Sequence, residues 1–274
     1  GRVIATNATC DLCNITLKDS AHIQETEAEW KNRKARRAGR PEVPPLYEMN
    51  DALGVLEHFE GYDYDEVVEV NDEVSVRFTD IGHLLGSASI EIWMKEDGVE
   101  KKIVFSGDIG NFNKPLIRNP IYTKEADYAV MESTYGDRFH QKGKDHISEL
   151  VRIVQETLDR GGNVVIPAFA VGRTQELLYY FRQIKAQRLI HGHDNFEVYV
   201  DSPLAVEATH VFKENQAECY DEETRELVEE GINPIAFPGL KLSVTSDESI
   251  NINFDAKPKV IISASGMCLS LIHI

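Results

Sequence analysis

The chain has 274 residues, of which 46 are acidic and 29 basic, giving a net charge of −17. That balance argues against a passive nucleic-acid coat protein, but not against an enzyme that grips a phosphate backbone locally. With 42% hydrophobic and 27% charged residues it is a globular composition, enough for one large domain or two ordinary ones, and no apolar run approaches a membrane span. The four cysteines (Cys10, Cys13, Cys219, Cys268) are too scattered for a disulfide scaffold, so a cytoplasmic location is expected. Gly1 is no natural initiator; the true N-terminus is expected upstream, and a signal peptide there stays an open question.

In chain order, the opening residues read as structured protein. Cys10-Asp-Leu-Cys13 is a lone C-x-x-C, read as two partly buried thiols rather than a metal or redox pair. The basic run 31–40 (KNRKARRAGR) has two readings: a solvated loop before Pro41, Pro44 and Pro45, or a basic flap facing a substrate. Residues 46–60 predict a short amphipathic helix with Ala52, Val55, Leu56 and Phe59 on one face. Strands follow over 66–70, 74–79, 89–94 and 102–105. A seam is expected near 136–145, where Gly136, Gly143 and several charges fall together.

Beyond it the rhythm changes. Asp145 can cap a helix carrying Ile147, Leu150, Val151, Val154 and Leu158, ended by Gly161-Gly162. A buried strand over 163–167 leads to a helix with Leu177, Leu178, Phe181 and Ile184 on one face. A strand over 196–200 precedes Ser202-Pro203, which opens a helix to about residue 215. The acidic run 221–230 reads as a solvated helix face, and a strand over 260–263 comes last. This alternation implies a mostly parallel sheet covered by helices. The final LSLIHI (269–274) reads as adapter-derived sequence, which leaves His273 without a role.

Three glycine-flanked runs follow strand-like stretches: GHLLGSA with His83, FSGDIGN with Asp108, and ESTYG with Glu132. Each is weak alone, since a single His is usually a surface or core residue and Gly-Asp is usually a turn. Their shared position at strand C-terminal ends joins them, because such ends converge on one sheet edge. An imidazole can bind a cation, an Asp carboxylate can bridge two, and a further carboxylate can orient a ligand or move protons. Gly172-Arg173-Thr174 opens a helix after a strand, so its amides could hold a phosphate or serve only as a cap. His191-Gly-His193 reads as an exposed turn, and Asp201-Ser202-Pro203 as a cap.

The three runs resemble the third and fourth metal motifs of the metallo-β-lactamase fold, followed by the first motif of its β-CASP group of RNA-cleaving nucleases. Residues 19–25 (DSAHIQE), 166–178 (IPAFAVGRTQELL), 200–209 (VDSPLAVEAT) and 263–268 (SASGMC) resemble segments of bacterial members. The resemblance implies an α/β fold: a partial metallo-β-lactamase αββα sandwich over 1–140 and an inserted β-CASP domain of mostly parallel sheet over 141–268. It implies that His83 binds zinc, that Asp108 bridges two zincs, and that Glu132 pairs with a downstream His at the scissile phosphate. Arg173 and Gly172 are substrate-binding candidates. The implied chemistry is hydrolysis of RNA phosphodiesters by a hydroxide held between two zinc ions, with manganese the second choice. Single-stranded RNA is the expected partner, no membrane is involved, and a homodimer is one open assembly.

The family's H-x-H-x-D-H run should lie upstream of residue 19 and its two later His motifs beyond Cys268. His22 sits in a non-ligand segment and does not replace them. The chain is therefore expected to be truncated at both ends, a poor zinc binder and an inactive nuclease by itself. Two rivals remain: a metallo-β-lactamase-fold hydrolase of small molecules, and a metal-free scaffold subunit. Internal versus 5′-end cleavage and the RNA target stay open.

Overall fold

Two patterns of strand pairing divide the described residues, 1–139 and 145–264 of a computed structural model. In the first, β3 (Val67–Glu69), β4 (Val74–Asp80), β5 (Ala88–Glu96), β6 (Val99–Phe105) and β7 (Tyr128–Val130) form a sheet in chain order. It is antiparallel through β6 and closes with a parallel β6–β7 pair. Ahead of it lie β1 (Val3–Thr6), α1 (Asn7–Arg37), α2 (Met49–Leu56) and β2 (Phe59–Tyr62), with β1 and β2 paired in parallel.

The second pattern is an all-parallel sheet. After α3 (His146–Asp159) come β8 (Val164–Ala168), α4 (Arg173–Ala186), β9 (Glu197–Asp201) and α5 (Pro203–Glu214). Then follow α6 (Gln216–Cys219), α7 (Glu222–Glu229), β10 (Leu240–Ser243), α8 (Ser246–Phe254) and β11 (Lys259–Ala264). The strand order is β10-β9-β11-β8. Helix starts obey their local chemistry. Asp145 accepts from the Ile147 and Ser148 amides, and Ser202 Oγ accepts from Ala205 N–H just before Pro203. Val198, Val200, Val260 and Ile262 then pack on Leu178, Phe181 and Ile184 of α4 and on Val154 and Leu158 of α3, all buried. Each such side chain contributes about 2 kcal/mol from the water it leaves. The architecture is α/β: a mixed sheet beside a parallel sheet flanked by helices, as the metallo-β-lactamase fold with an inserted β-CASP domain requires.

Two features depart from the sequence reading. Phe59 does not extend the helix of residues 46–60: α2 ends at Leu56, and Phe59 opens β2 beside Val3. The basic run 31–40 is neither loop nor flap up to residue 37, because it forms the last turns of the 31-residue α1. Its fully or nearly buried residues are Ala8, Ala21 and Ala28. Small side chains let a helix lie close to its neighbours but leave no strong apolar stripe to read. Much of the basic charge is spent locally, in Lys31–Glu27, Arg33–Glu29 and Arg36–Glu42 pairs. Among the described residues no helix is long and apolar enough to cross a membrane. Residues 265–268 of SASGMC and the 269–274 tail lie outside the described residues.

The two faces of the mixed sheet differ. On one, Glu91 of β5 is nearly fully buried and accepts from Arg77 Nε at 2.7 Å, Lys102 Nζ at 2.9 Å and Thr123 Oγ1 at 2.6 Å. Burial pushes its carboxyl upward, but Thr123, Lys102 and Arg77 outweigh it, so Glu91 stays below the usual carboxylate range. A depressed folded pKa stabilises above the unfolded value and loses that contribution as pH falls through the folded one. Glu91→Gln is expected to cost about 3 kcal/mol in urea unfolding at neutral pH, with the gap to wild type narrowing in acid. An equal midpoint at pH 7 would show that the network adds nothing. The opposite face carries Ile90, Ile92 and Met94 beside Phe78, Ile103, Phe105, Tyr128 and Val130. Ile90, Met94, Phe105, Tyr128 and Val130 are each more than a third exposed. It is the kind of face that a sandwich of two sheets keeps between them.

Candidate functional site

Strand direction assembles the site. β5 is antiparallel to both β4 and β6, so β4 and β6 run the same way, and β7 runs with β6. Their C-terminal ends share one sheet edge. His83 follows β4, Asp108 follows β6 and Glu132 follows β7 within three residues of each strand. The glycines let these loops touch. A Cβ at Gly110 would stand 1.8 Å from the Gly82 carbonyl oxygen, and the Gly110 amide donates to Ile81 O at 2.9 Å. Any side chain at Gly110 would push the Asp108 loop off the His83 loop.

Within this edge His83 Nε2 stands 3.9 Å from Asp108 Oδ2. Their side chains are 38% and 74% exposed, so both can meet a ligand from solvent. The His83 loop is held by Ser87, whose Oγ accepts from the His83 and Leu84 amides at 3.0 and 3.1 Å. Glu132 accepts from Ile109 N–H at 2.5 Å, and its own amide donates to Ser106 Oγ at 3.0 Å. The Ile109 amide, then Thr134, hold its carboxyl below the usual range, with His83 adding to the effect. Glu132 is therefore an ionised acceptor at neutral pH, and it braces the Asp108 loop by its next residue.

Beneath the edge, Asp80 is buried at the end of β4 and accepts from the Gly82 amide at 2.8 Å. Burial pushes its carboxyl up to about 6 against the pull of that amide and of Arg118. A raised carboxyl pKa favours folding below the unfolded value and costs stability as pH climbs through the folded one.

Sequence reasoning missed Lys114. Its Nζ donates to the His83 carbonyl at 2.9 Å, and burial pushes its ammonium pKa down. It lies in a cleft of about 20 Å³ that also involves His83, Leu84, Gly172 and Glu176. Nothing in the local NKP sequence marks it; only the fold brings it under His83. Gly172 is seated by the same cleft. It has φ +87°, and a Cβ there would meet Leu84 Cδ2 at 2.3 Å. The amides proposed as phosphate donors are engaged. Gly172 N–H donates to Gln175 Oε1 at 2.7 Å, Arg173 N–H to Val171 O, and Thr174 N–H to Phe169 O. The Arg173 guanidinium pairs with Glu176 at 3.0 Å. Gly172 thus shares a cleft with His83, and Gly172 and Arg173 serve as a helix start.

The remaining candidates stand apart. His193 pairs with Asp159 at 2.8 Å in an exposed loop. Cys10 and Cys13 are free, half-buried thiols on α1, pushed upward chiefly by burial. His22 is exposed on the same helix.

An imidazole and a carboxylate suit zinc in kind but not in number. A catalytic zinc takes three protein ligands and a structural one four. Among the described residues no group of three or more His, Cys, Asp or Glu side chains is placed to hold a metal. His83 and Asp108 are two donors, and no reaction step through a metal follows from them alone.

A family model for the Beta-Casp domain matches residues 174–270. A ribonuclease of Thermus thermophilus is 30% identical over 269 residues, covering 97% of this chain and 55% of the relative. An RNase J-like protein of Methanocaldococcus jannaschii is 30% identical over 270 residues, again 97% and 55%. The transcription termination factor FttA of Thermococcus kodakarensis is 27% identical over 271 residues, 97% of this chain and 38% of the relative. The chain thus spans about half the length, or less, of these relatives. Residues 174–270 thus carry a Beta-Casp domain, and with the parallel sheet of residues 164–264 beside the His83, Asp108 and Glu132 edge the chain has the metallo-β-lactamase fold with that domain inserted.

Proposed function

We propose that the protein hydrolyses phosphodiester bonds in single-stranded RNA, with zinc held in part by His83 and Asp108. The observation that carries this reading is the convergence of His83, Asp108 and Glu132 on one edge of the mixed sheet. Relatives named as ribonucleases support RNA as the substrate. Zinc bound there would supply Lewis acidity and a nucleophile at neutral pH, and manganese is the second choice. This chain's residues contribute positioning: Ser87 and Lys114 hold the His83 backbone, and Glu132 holds the Asp108 loop.

Full-length protein with matched single-stranded and duplex RNA is expected to cut the single strand at least about tenfold faster, and to stop when metal is chelated. Equal rates on both would sink the strand preference, and metal-independent cutting would sink the assigned chemistry. End-labelled substrate in the same assay separates internal from 5′-end cleavage.

A further inference from the structure

The edge of the parallel sheet opposite the His83 cleft holds a cavity of about 750 Å³, between the end of α4 and the starts of β9 and β10. A second cavity of about 370 Å³ shares Lys185, Arg188, Asp194 and Asn195 with it. Four cations, Arg182, Lys185, Arg188 and Lys241, face two carboxylates, Asp194 and Glu197. This local excess of positive charge runs against a chain of net charge −17.

Part of the charge has a structural role. Cations near the end of α4 complement its carbonyls, and Lys185 donates to the Phe196 carbonyl. Two observations exceed that role. Lys241 belongs to β10, away from the helix end, and reaches Glu197 only at 3.7 Å. Arg188 has φ +52° at the position of a helix-ending Schellman turn: Leu189 N–H reaches Ile184 O and Arg188 N–H reaches Lys185 O. Glycine is the ordinary residue there, and an arginine costs about 1 kcal/mol of backbone strain.

We propose that this cavity binds the phosphate group of a ligand of nucleotide size. Arg188 and Lys241 would close on the anion as charge-assisted donors, with Arg182 on the same wall. The volume lies within the usual range for small-molecule sites. Phe237 and Ile232 give an apolar wall for a base or sugar, and Asn195 and Asn233 offer amide groups to its polar edge. Burial pushes the Lys185 ammonium pKa down against the pull of Glu197 and Asp194, and an anion beside it would push it back up. The inference is independent of the proposed nuclease reading, since it uses none of the residues at the His83 edge.

Two sources share this chemistry, a free nucleotide and a phosphate within an RNA chain. Calorimetry on the 274-residue chain in low salt with chelator tests both, using inorganic phosphate, a 5′-mononucleotide and a short oligoribonucleotide. Saturable binding of the mononucleotide is expected, at least about tenfold tighter than inorganic phosphate. Reversing Arg188→Glu and Lys241→Glu together should weaken it by at least about tenfold, whereas Glu197→Gln should tighten it. Lys241→Met, a milder change, should weaken it by about threefold should the double variant fail to fold. An oligomer bound more tightly than the mononucleotide assigns the site to RNA, and equal or weaker binding assigns it to free nucleotides. Absence of saturable binding by any of the three probes would overturn the proposal, as would affinity unchanged in folded Lys241→Met.

Discussion

Purified by itself, the 274-residue chain is expected to retain less than one firmly held zinc per molecule and to leave RNA uncut. Zinc in four-ligand peptide sites is held with about 10–16 kcal/mol at neutral pH. His83 and Asp108 would supply two of those donors, and no third His, Cys, Asp or Glu joins them among the described residues. Half the donors correspond to roughly 5–8 kcal/mol, or micromolar to near-millimolar dissociation, which desalting strips. The two side chains also stand 3.9 Å apart with Asp108 largely in solvent, so ordering them adds an entropic cost. Elemental analysis after gel filtration decides the point, and two tightly held zinc ions per chain would refute it. A full-length protein that holds two would show that the remaining donors come from outside this stretch.

Local chemistry was readable where one residue dictates a backbone event. Asp145, Ser202 and Gly161-Gly162 announce helix ends, and the β-branched runs announce β4, β5, β8 and β11. The meeting of His83, Asp108 and Glu132 was also readable, because glycine-flanked strand ends in a sheet leave few other places for them. What escaped has a common cause: its meaning lies in partners distant in sequence. Helix α1 packs on α2 and α5, and its buried residues are alanines, too small to mark an apolar stripe. Lys114 gains its position from a carbonyl 31 residues earlier. The donor capacity of Gly172 and Arg173 depends on Gln175, Val171 and Phe169, whose hydrogen bonds only the folded turn reveals.

In the full-length protein, Asp108→Ala is expected to lower RNA cleavage at least about a thousandfold, equivalent to about 4 kcal/mol of barrier, with little change in melting temperature. The split follows from its surroundings. The Asp108 side chain is 74% exposed and stands 3.9 Å from His83 Nε2, so it contributes reach toward a ligand more than packing. Removing an exposed group of this kind ordinarily shifts stability by under about 0.5 kcal/mol. Glu132 behaves differently, because its carboxylate accepts the Ile109 amide and so shapes the loop that carries Asp108. Glu132→Gln keeps an acceptor oxygen at that amide and is expected to lose about 10–100-fold, the worth of a charge near the reacting phosphate. Glu132→Ala also frees the amide, so it should fall further and loosen metal binding by the full-length protein. Cleavage undiminished in Asp108→Ala would remove Asp108 from the metal site. Equal losses in Glu132→Gln and Glu132→Ala, with metal affinity intact, would show that the charge of Glu132 matters and its brace on the loop does not.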